Sequence, residues 1–397
     1  MALHDLSIAV IGGGIGGLAA ATALARHGAR VTLFEQADAI REVGAGLQLS
    51  PNGLKVMAAL GLEAGLGSAP RASAVSLRDY RAGREVLRLD LARLGPGMNY
   101  RFVHRADLID LLAGAARAAG VTLRLSHKVR RVTPGAPARI EMANETGDQT
   151  GDETVSANLV IGADGLHSVV RTVLNGDVPA RFTGQVAWRA VVPNVVDHPP
   201  EARVHMGPHR HVVSYPLRDS AFVNLVAVQE RADWAEEGWS QTDEGDNLRA
   251  ALADFGGDTA RLLAAAERPG LWGLFRHPVA ARWWGEGLAL LGDAAHPTLP
   301  FLAQGANLAL EDAWELADAL ARADRLEAGL AAYQARRADR AAKVIAAANG
   351  NAWKYHLARP GLRDAAHFAL ALGGRVAPGL MLRQFDWLYR YDPTLPR

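Results

Sequence analysis

The sequence predicts an α/β fold: a parallel sheet with helices, interrupted by an inserted antiparallel β-sheet and followed by a helical carboxyl-terminal region. Three observations carry this expectation. Residues 7–34 run as apolar strand, glycine turn, alanine-rich helix and second strand, which makes a βαβ unit with parallel strands. Residues 185–229 lose helical periodicity and become β-branched and aromatic. Residues 304–349 are mostly long alanine-rich helices. At 397 residues and 49% hydrophobic content, the chain has two to three domains' worth of core.

Taken in order, residues 7–11 read as a buried strand, 15–27 as a helix and 30–34 as a second strand. Residues 51–60 and 105–119 read as helices. Pro51 follows Ser50 at the start of the first, and Asp107 puts an acid in the opening turn of the second. Residues 121–125 and 129–132 read as strands, and 145–153 as an exposed hairpin tip, being acidic and polar with two glycines. Residues 158–161 return as an apolar strand. Val212-Val213-Ser214-Tyr215 and Phe222 to Val226 mark the antiparallel sheet, and residues 288–291 form another buried strand. The tail stretch 365–382 is apolar, but Arg375, two glycines and Pro378 interrupt it. It reads as a buried or half-buried helix pair, too broken for a membrane span.

Composition excludes several kinds of chemistry. Lys plus Arg number 43 against 42 Asp plus Glu, so no basic footprint for nucleic acid is present. The chain has no cysteine, which rules out disulfides, thiolate nucleophiles, iron–sulfur clusters and Cys-ligated zinc. Thirteen histidines include no His-Glu-x-x-His helix, and His209-x-His211 has no partnering cluster, so no metal site is expected. The amino terminus lacks a basic segment and a small-residue cleavage site, which gives a cytoplasmic expectation. Arg336, Arg337, Arg340 and Lys343 read as a solvated helix face.

Two motifs carry chemistry. Gly12, Gly14 and Gly17 fit G-x-G-x-x-G between a strand and a helix. Such glycines permit a tight turn, backbone approach to a pyrophosphate and close helix packing, and the helix amino terminus adds free N–H groups and partial positive charge. Glu35 follows Gly17 by 18 residues, where an acid can accept from an adenosine ribose and disfavour a 2′-phosphate. FAD or NAD therefore fits, and NADP does not. The second motif is Gly292-Asp293 at a strand end, followed by Pro300 and by Gln304-Gly305-Ala306-Asn307 opening a helix. A carboxylate there can bind ribityl hydroxyls. Amides of the helix start can stabilise negative charge on a reduced flavin.

With a third segment, residues 160–171 containing Asp164-Gly165 and ending in Arg171, the chain resembles the single-component (class A) flavoprotein monooxygenases. Salicylate, p-hydroxybenzoate and 3-hydroxybenzoate 6-hydroxylases are of that group. Residues 41–52, with Gly44-Ala45-Gly46, and residues 104–108 fit as well. The resemblance implies a Rossmann-like FAD-binding domain, as in p-hydroxybenzoate hydroxylase, divided over 1–75, 104–180 and 276–345. Substrate-domain strands would occupy 76–103, a substrate-binding β-sheet domain 181–275 and a helical region 346–397. It implies tightly bound, non-covalent FAD, with NAD(P)H, NADH favoured, as a transient co-substrate. No second glycine fingerprint for a nicotinamide domain exists in the sequence. Candidate cofactor contacts are Gly12, Gly14, Ile15, Gly16, Gly17, Glu35, Arg41, Gln48, Arg105, Val129, Asp164, Gly165, Arg171, Gly292, Asp293, Pro300, Gly305, Ala306 and Asn307.

The implied reaction is hydroxylation of a small aromatic compound, of hydroxybenzoate, salicylate or hydroxynicotinate type, by O2 through a C4a-hydroperoxyflavin. It needs a dry site and help in removing a phenolic proton, for which histidine is suited. His211 and Tyr215 are four apart, so on a strand they share a face; with Gln304 they are the catalytic candidates. His296 is expected beside the flavin, and Gln48 at the flavin's dimethylbenzene end or the pocket. An acidic substrate calls for an arginine, and Arg189 and Arg203 are unplaced by sequence alone. Three alternatives stay open: a non-phenolic substrate (antibiotic, polyketide, quinolone or olefin), an FAD dehydrogenase or oxidase, and a nucleotide-binding sensor. The working unit is expected to be a monomer or homodimer.

Overall fold

Ser7–Ile11 is buried from Ile8 onward, as a central parallel strand covered on both faces must be. In the computed structural model, which describes residues 3–40, 46–144, 152–232 and 241–395, it pairs in parallel with Arg30–Phe34 on one side and Leu159–Gly162 on the other. Thr122–Arg124 extends the sheet past Arg30–Phe34, and Leu288–Leu290 past Leu159–Gly162. The short antiparallel Trp284–Gly285 closes the edge, giving six strands. Ile15–Arg26 packs its small side chains against this sheet and against helix Gly305–Arg322. Arg41 and residues 145–151 of the expected hairpin tip lie outside the described residues.

A second, seven-stranded sheet is built from separate passes of the chain. Its order is Gly270–Arg276, Arg181–Pro193, Phe222–Glu230, Arg210–Leu217, Glu201–Gly207, Ala74–Asp79 and Glu85–Asp90. It is antiparallel except where Glu201–Gly207 meets Ala74–Asp79 in parallel, because those two strands come from different passes. One face is covered by Gly245–Ala251 and Asp258–Ala264 through Trp188, Val212, Leu248 and Leu262. Strand Gly46–Leu49, paired with Arg101–His104, joins the two sheets: the Gly46 N–H donates to Asn224 Oδ1 at 2.7 Å.

The long helix Leu326–Tyr355 spans from the first sheet to the second, and Pro360–Val376 and Pro378–Arg383 lie against Glu85–Asp90. The tail is a half-buried helix pair, as its sequence reads: His367 and Leu382 are buried, whereas Phe368, Val376 and Leu380 are 70%, 75% and 67% exposed, because these helices cover the sheet with one side only. No described helix is long and apolar enough to cross a membrane. The solvated-face reading of the basic run is corrected. Arg337 is fully buried, its guanidinium bonded to Glu311 at 2.5 Å and Asp312 at 2.7 Å, and Arg340 bonds Glu311 and lies 3.6 Å from the Tyr391 ring centroid.

Candidate active site

Strand order brings the three motifs together. Ser7–Ile11, Leu159–Gly162 and Leu288–Leu290 are neighbours, all parallel, so the Gly12, Ala163-Asp164 and Gly292-Asp293 turns leave adjacent carboxyl ends of one sheet. That edge is where open α/β sheets bind ligands. Here it forms one wall of a cavity of about 1010 Å³ whose other wall is the seven-stranded sheet. The volume is at the upper end for small-molecule sites, roughly 300–1,000 Å³, and has room for a dinucleotide with a small ring beside it.

The glycine turn is sterically obligatory. Gly12 has φ +106° and a Cβ there would strike the Ala163 carbonyl; a Cβ on Gly17 would strike the Gly12 carbonyl. Gly14 differs: a Cβ would meet nothing within 4 Å, since the residue borders the cavity. Glu35 stands at the cavity wall with Oε2 accepting from the Gly13 N–H at 2.7 Å and Oε1 from the Ala37 N–H at 2.9 Å. It braces the turn while its remaining lone pairs stay available.

Two helices open at the cavity without side-chain caps. Gly14, Ile15 and Gly16 at the start of Ile15–Arg26 line it, as do Gly305 and Ala306 at the start of Gly305–Arg322. Helix starts carry unsatisfied N–H groups and partial positive charge, so two anion-binding termini face one space. Two carboxyls stand among them. Asp164 Oδ2 accepts from the Val169 N–H at 2.9 Å, whereas its buried Oδ1 has no partner within the protein. Burial raises its pKa. Asp293 is accessible only as part of the cavity wall; desolvation by that enclosure raises its carboxyl, against the lowering influence of His296 and Arg105. Two cavity-lining carboxyls beside uncapped helix starts fit a ligand with both hydroxyls and anionic groups, as FAD has.

A buried polar network holds this edge from behind. The Asp312 carboxylate accepts from the Gly292 N–H at 2.9 Å, His296 Nε2 at 2.5 Å and Arg337 Nε at 2.7 Å. Burial opposes its ionisation, but His296 and Arg337 hold its pKa down to about 2. Glu311 accepts from Asn52, Arg337 and Arg340, and Asn52 in turn bonds Gln304 at 3.1 Å.

Across the cavity, strand Arg210–Leu217 presents His211, Val213 and Tyr215 along one face, as a period of two requires. Burial, with His356 beside it, holds His211 well below the usual histidine range, so the ring is neutral. Burial pushes the Tyr215 phenol up, the Arg189 charge opposing it, and its ring stacks on Phe102 at 5.0 Å. Arg189 lines the cavity with its guanidinium 5.2 Å from the Trp272 ring centroid. Leu87, Leu89, Val226 and Phe301 make the rest of this end apolar.

Most sequence-chosen cofactor residues border the cavity: Gly12, Gly14, Ile15, Gly16, Glu35, Gln48, Arg105, Val129, Asp164, Gly165, Gly292, Asp293, Pro300, Gly305 and Ala306. Gly17, Arg171 and Asn307 are placed behind it. Arg171 donates to the carbonyls of Ala294 (2.9 Å), Ala295 (3.2 Å) and Pro278 (2.5 Å), which ties the Asp164 segment to the Asp293 turn. Asn307 donates to the Gln48 carbonyl and accepts from the Ser50 N–H. Gln304 reaches the cavity wall, but its amide is bonded to Ser50 Oγ and Asn52, so it shapes the wall instead of handling substrate. His296 is fully enclosed and tied to Asp312, away from the expected flavin-facing position. Arg203 sits outside the cavity, bonded to Glu201 and Asp258. Sequence reasoning missed Tyr355, Met381, Phe385 and Tyr389, tail residues that close the apolar end. No motif marks them, since ordinary apolar side chains become pocket walls only by packing.

Comparison with known proteins agrees with this geometry. The family model described as FAD binding domain matches residues 5–348. The 3-amino-4-hydroxybenzoate 2-monooxygenase of Streptomyces platensis is 34% identical over 98% of this chain and 97% of its own length. The 3-hydroxybenzoate 6-hydroxylase of Klebsiella oxytoca is 34% identical over 88% of each chain. Among solved structures, a salicylate hydroxylase in complex with its substrate superposes with a TM-score of 0.78 at 25% identity, covering 98% of this chain and 96% of that one.

Proposed function

The chain belongs to the FAD binding domain family and is an FAD-dependent monooxygenase of the aromatic-hydroxylase group; from that premise we propose that it hydroxylates a small aromatic acid carrying a ring hydroxyl, of hydroxybenzoate or hydroxynicotinate type. The observation that carries this reading is the shared cavity. Uncapped helix starts and Asp293 stand at one wall, and a neutral buried histidine, a tyrosine and an arginine stand in an apolar setting at the other.

FAD would be held by the turn at Gly12–Gly16, Glu35, Arg105, Asp164, Asp293 and the start of helix Gly305–Arg322. When bound it supplies reduction by NAD(P)H and activation of O2 for transfer of one oxygen atom to the ring. The protein's own residues do the rest. The apolar walls from Leu87, Val226, Trp272 and Phe301 exclude water. Arg189 holds the ring's carboxylate by a charge-assisted bond. Neutral His211 accepts the ring hydroxyl's proton, which makes the ring electron-rich, and Tyr215 orients that oxygen. Since NAD(P)H is an intracellular reductant, we place the enzyme in the cytoplasm. One chain walls the described cavity, so a monomer or homodimer suffices.

The test is a panel of 3-hydroxybenzoate, 3-amino-4-hydroxybenzoate, 6-hydroxynicotinate and anthranilate with the purified yellow protein. At least one is expected to stimulate NADH consumption with one oxygen added to the product. Peroxide in stoichiometric yield with every ring, and no oxygenated product, would make it an oxidase. His211→Gln should retain flavin and lose about 100-fold in kcat.

A further inference from the structure

His211 is one end of an unbroken hydrogen-bonded row that leaves the cavity and reaches the surface. Its Nδ1 is 2.7 Å from His356 Nε2, His356 Nδ1 is 2.9 Å from Glu230 Oε1, and Glu230 Oε2 is 2.6 Å from His209 Nδ1. His211 and His356 are buried, whereas the side chains of Glu230 and His209 are 38% and 61% exposed. The backbone builds the row deliberately close. The His209 N–H donates to the His356 carbonyl at 3.2 Å, and the Glu230 N–H to the His209 carbonyl at 2.9 Å. His209 itself sits in a left-handed turn at φ +59°. His356 caps the carboxyl end of helix Leu326–Tyr355, and burial lowers its pKa against the raising influence of Glu230, which keeps the ring neutral.

Resting on the hydroxylase reading above, we propose that His356 and Glu230 are positioning residues which fix the proton-accepting tautomer of His211 and carry the abstracted proton from the cavity to solvent. The argument begins at the charged end. Burial works against Glu230 ionising, but the bonds from His209 and His356 hold its carboxyl below the usual range, so it is an acceptor. His356 must then donate from Nδ1, which leaves its Nε2 as an acceptor. His211 must donate to it from Nδ1, which leaves His211 Nε2 bearing a lone pair. That nitrogen has no hydrogen-bond partner among the described residues, and the ring borders the cavity. A single carboxylate thus sets two ring tautomers in series and presents a base at the far end.

Proton balance follows the same path. The ring O–H bond breaks and its proton forms an N–H bond at His211 Nε2. The Nδ1 proton of His211 passes to His356 Nε2, and the Nδ1 proton of His356 passes to Glu230, which is 38% exposed and releases it to water. No redox partner is needed, and reprotonation of the product oxygen runs the row backward. Other charged groups among the described residues near the path are Lys354, Arg210 with Asp254, and Arg231. Lys354 lines the cavity near His211, Arg210 on the same turn is bonded to Asp254 and the Ala251 carbonyl, and Arg231 donates to Gln229. Tyr355 and Phe301 pack on the His211 ring at 5.3 and 5.8 Å.

The test uses the FAD-loaded enzyme with histidine ring nitrogens labelled for NMR, signals being assigned with His211→Gln and His356→Gln. Both rings are expected to carry their proton on Nδ1, and Glu230→Gln should shift His356 away from that form. A wild-type spectrum with either proton on Nε2 overturns the proposal. In stopped flow with a pH-indicator dye and 3-hydroxybenzoate as probe, Glu230→Gln should release the proton about tenfold more slowly. Its flavin content and ring affinity should be unchanged. Release at the wild-type rate also overturns it. Nδ1 tautomers in a protein that binds no ring compound would sink the hydroxylase reading while supporting the row itself.

Discussion

Replacing Asp312 with asparagine removes one charge and almost no volume from the network that holds the Asp293 turn. The carboxylate accepts from three donors: Gly292 N–H, His296 Nε2 and Arg337 Nε. An asparagine offers one oxygen and a donating NH2, so at least one of the three would face a donor. The surroundings hold the pKa of Asp312 at about 2 against 3.8 for the free side chain. That shift corresponds to about 2 kcal/mol of stability, and stripping one partner from a buried ion network costs up to about 3–5 kcal/mol. We expect Asp312→Asn to lose about 2–4 kcal/mol in urea unfolding at pH 7. The sign with pH follows from the depressed value: the contribution is complete above pH 3.8 and is lost as pH falls toward 2, so the deficit should be constant from about pH 5 to 8. Gly292 and His296 share Oδ2 whereas Arg337 holds Oδ1, so an asparagine that keeps the first two turns its NH2 on Arg337 and loosens the network behind the Asp293 turn; flavin retention should fall in parallel, read as the ratio of absorbance at 450 and 280 nm. An Asp312→Asn protein within about 0.5 kcal/mol of wild type, with full flavin content, refutes this account of the network.

Three other outcomes are expected. Gly17→Ala pushes a methyl into the Gly12 carbonyl and should lower FAD affinity by about tenfold or more, measured by fluorescence titration of the apoprotein. Arg189→Met should raise KM for a carboxylated ring by about tenfold and leave decarboxylated analogues unaffected; an equal effect on both removes Arg189 from carboxylate recognition. His198 is buried against Ser214, and burial lowers its pKa from 6.5 to about 4. The unfolded chain takes up that proton first as pH falls, so about 3 kcal/mol of stability should disappear between pH 6.5 and 4. His198→Gln should flatten that part of the urea-midpoint profile.

The sequence disclosed the elements where local chemistry determines them. Strands at 7–11 and 30–34 stand where the apolar pattern put them, and helices begin at Ile15, Pro51 and Arg105 as the turn, cap and charge signals indicate. Helix ends fall a residue early, since terminal residues take capping geometry. The seven-stranded sheet was only partly legible. Its pairing of Ala74–Asp79 with Glu201–Gly207 joins residues over a hundred positions apart, which no local pattern encodes.

At the site, the glycine turn was legible in the sequence, because glycines that must avoid a backbone clash are demanded by geometry within a single βαβ unit. Which side chains face the ligand was decided by tertiary structure. Gln304 reads as catalytic, Arg171 as a cofactor contact and His296 as flavin-facing in the sequence, but they are engaged by Ser50, three carbonyls and Asp312. Arg337, which looks solvated, is buried between two carboxylates. His356 and Glu230 carry no motif, and their alignment with His211 exists only because a helix end, a turn and a strand end meet at hydrogen-bonding distance. Local signals arise from backbone sterics and periodicity, whereas the partner of a polar side chain is set by packing between segments far apart in the chain.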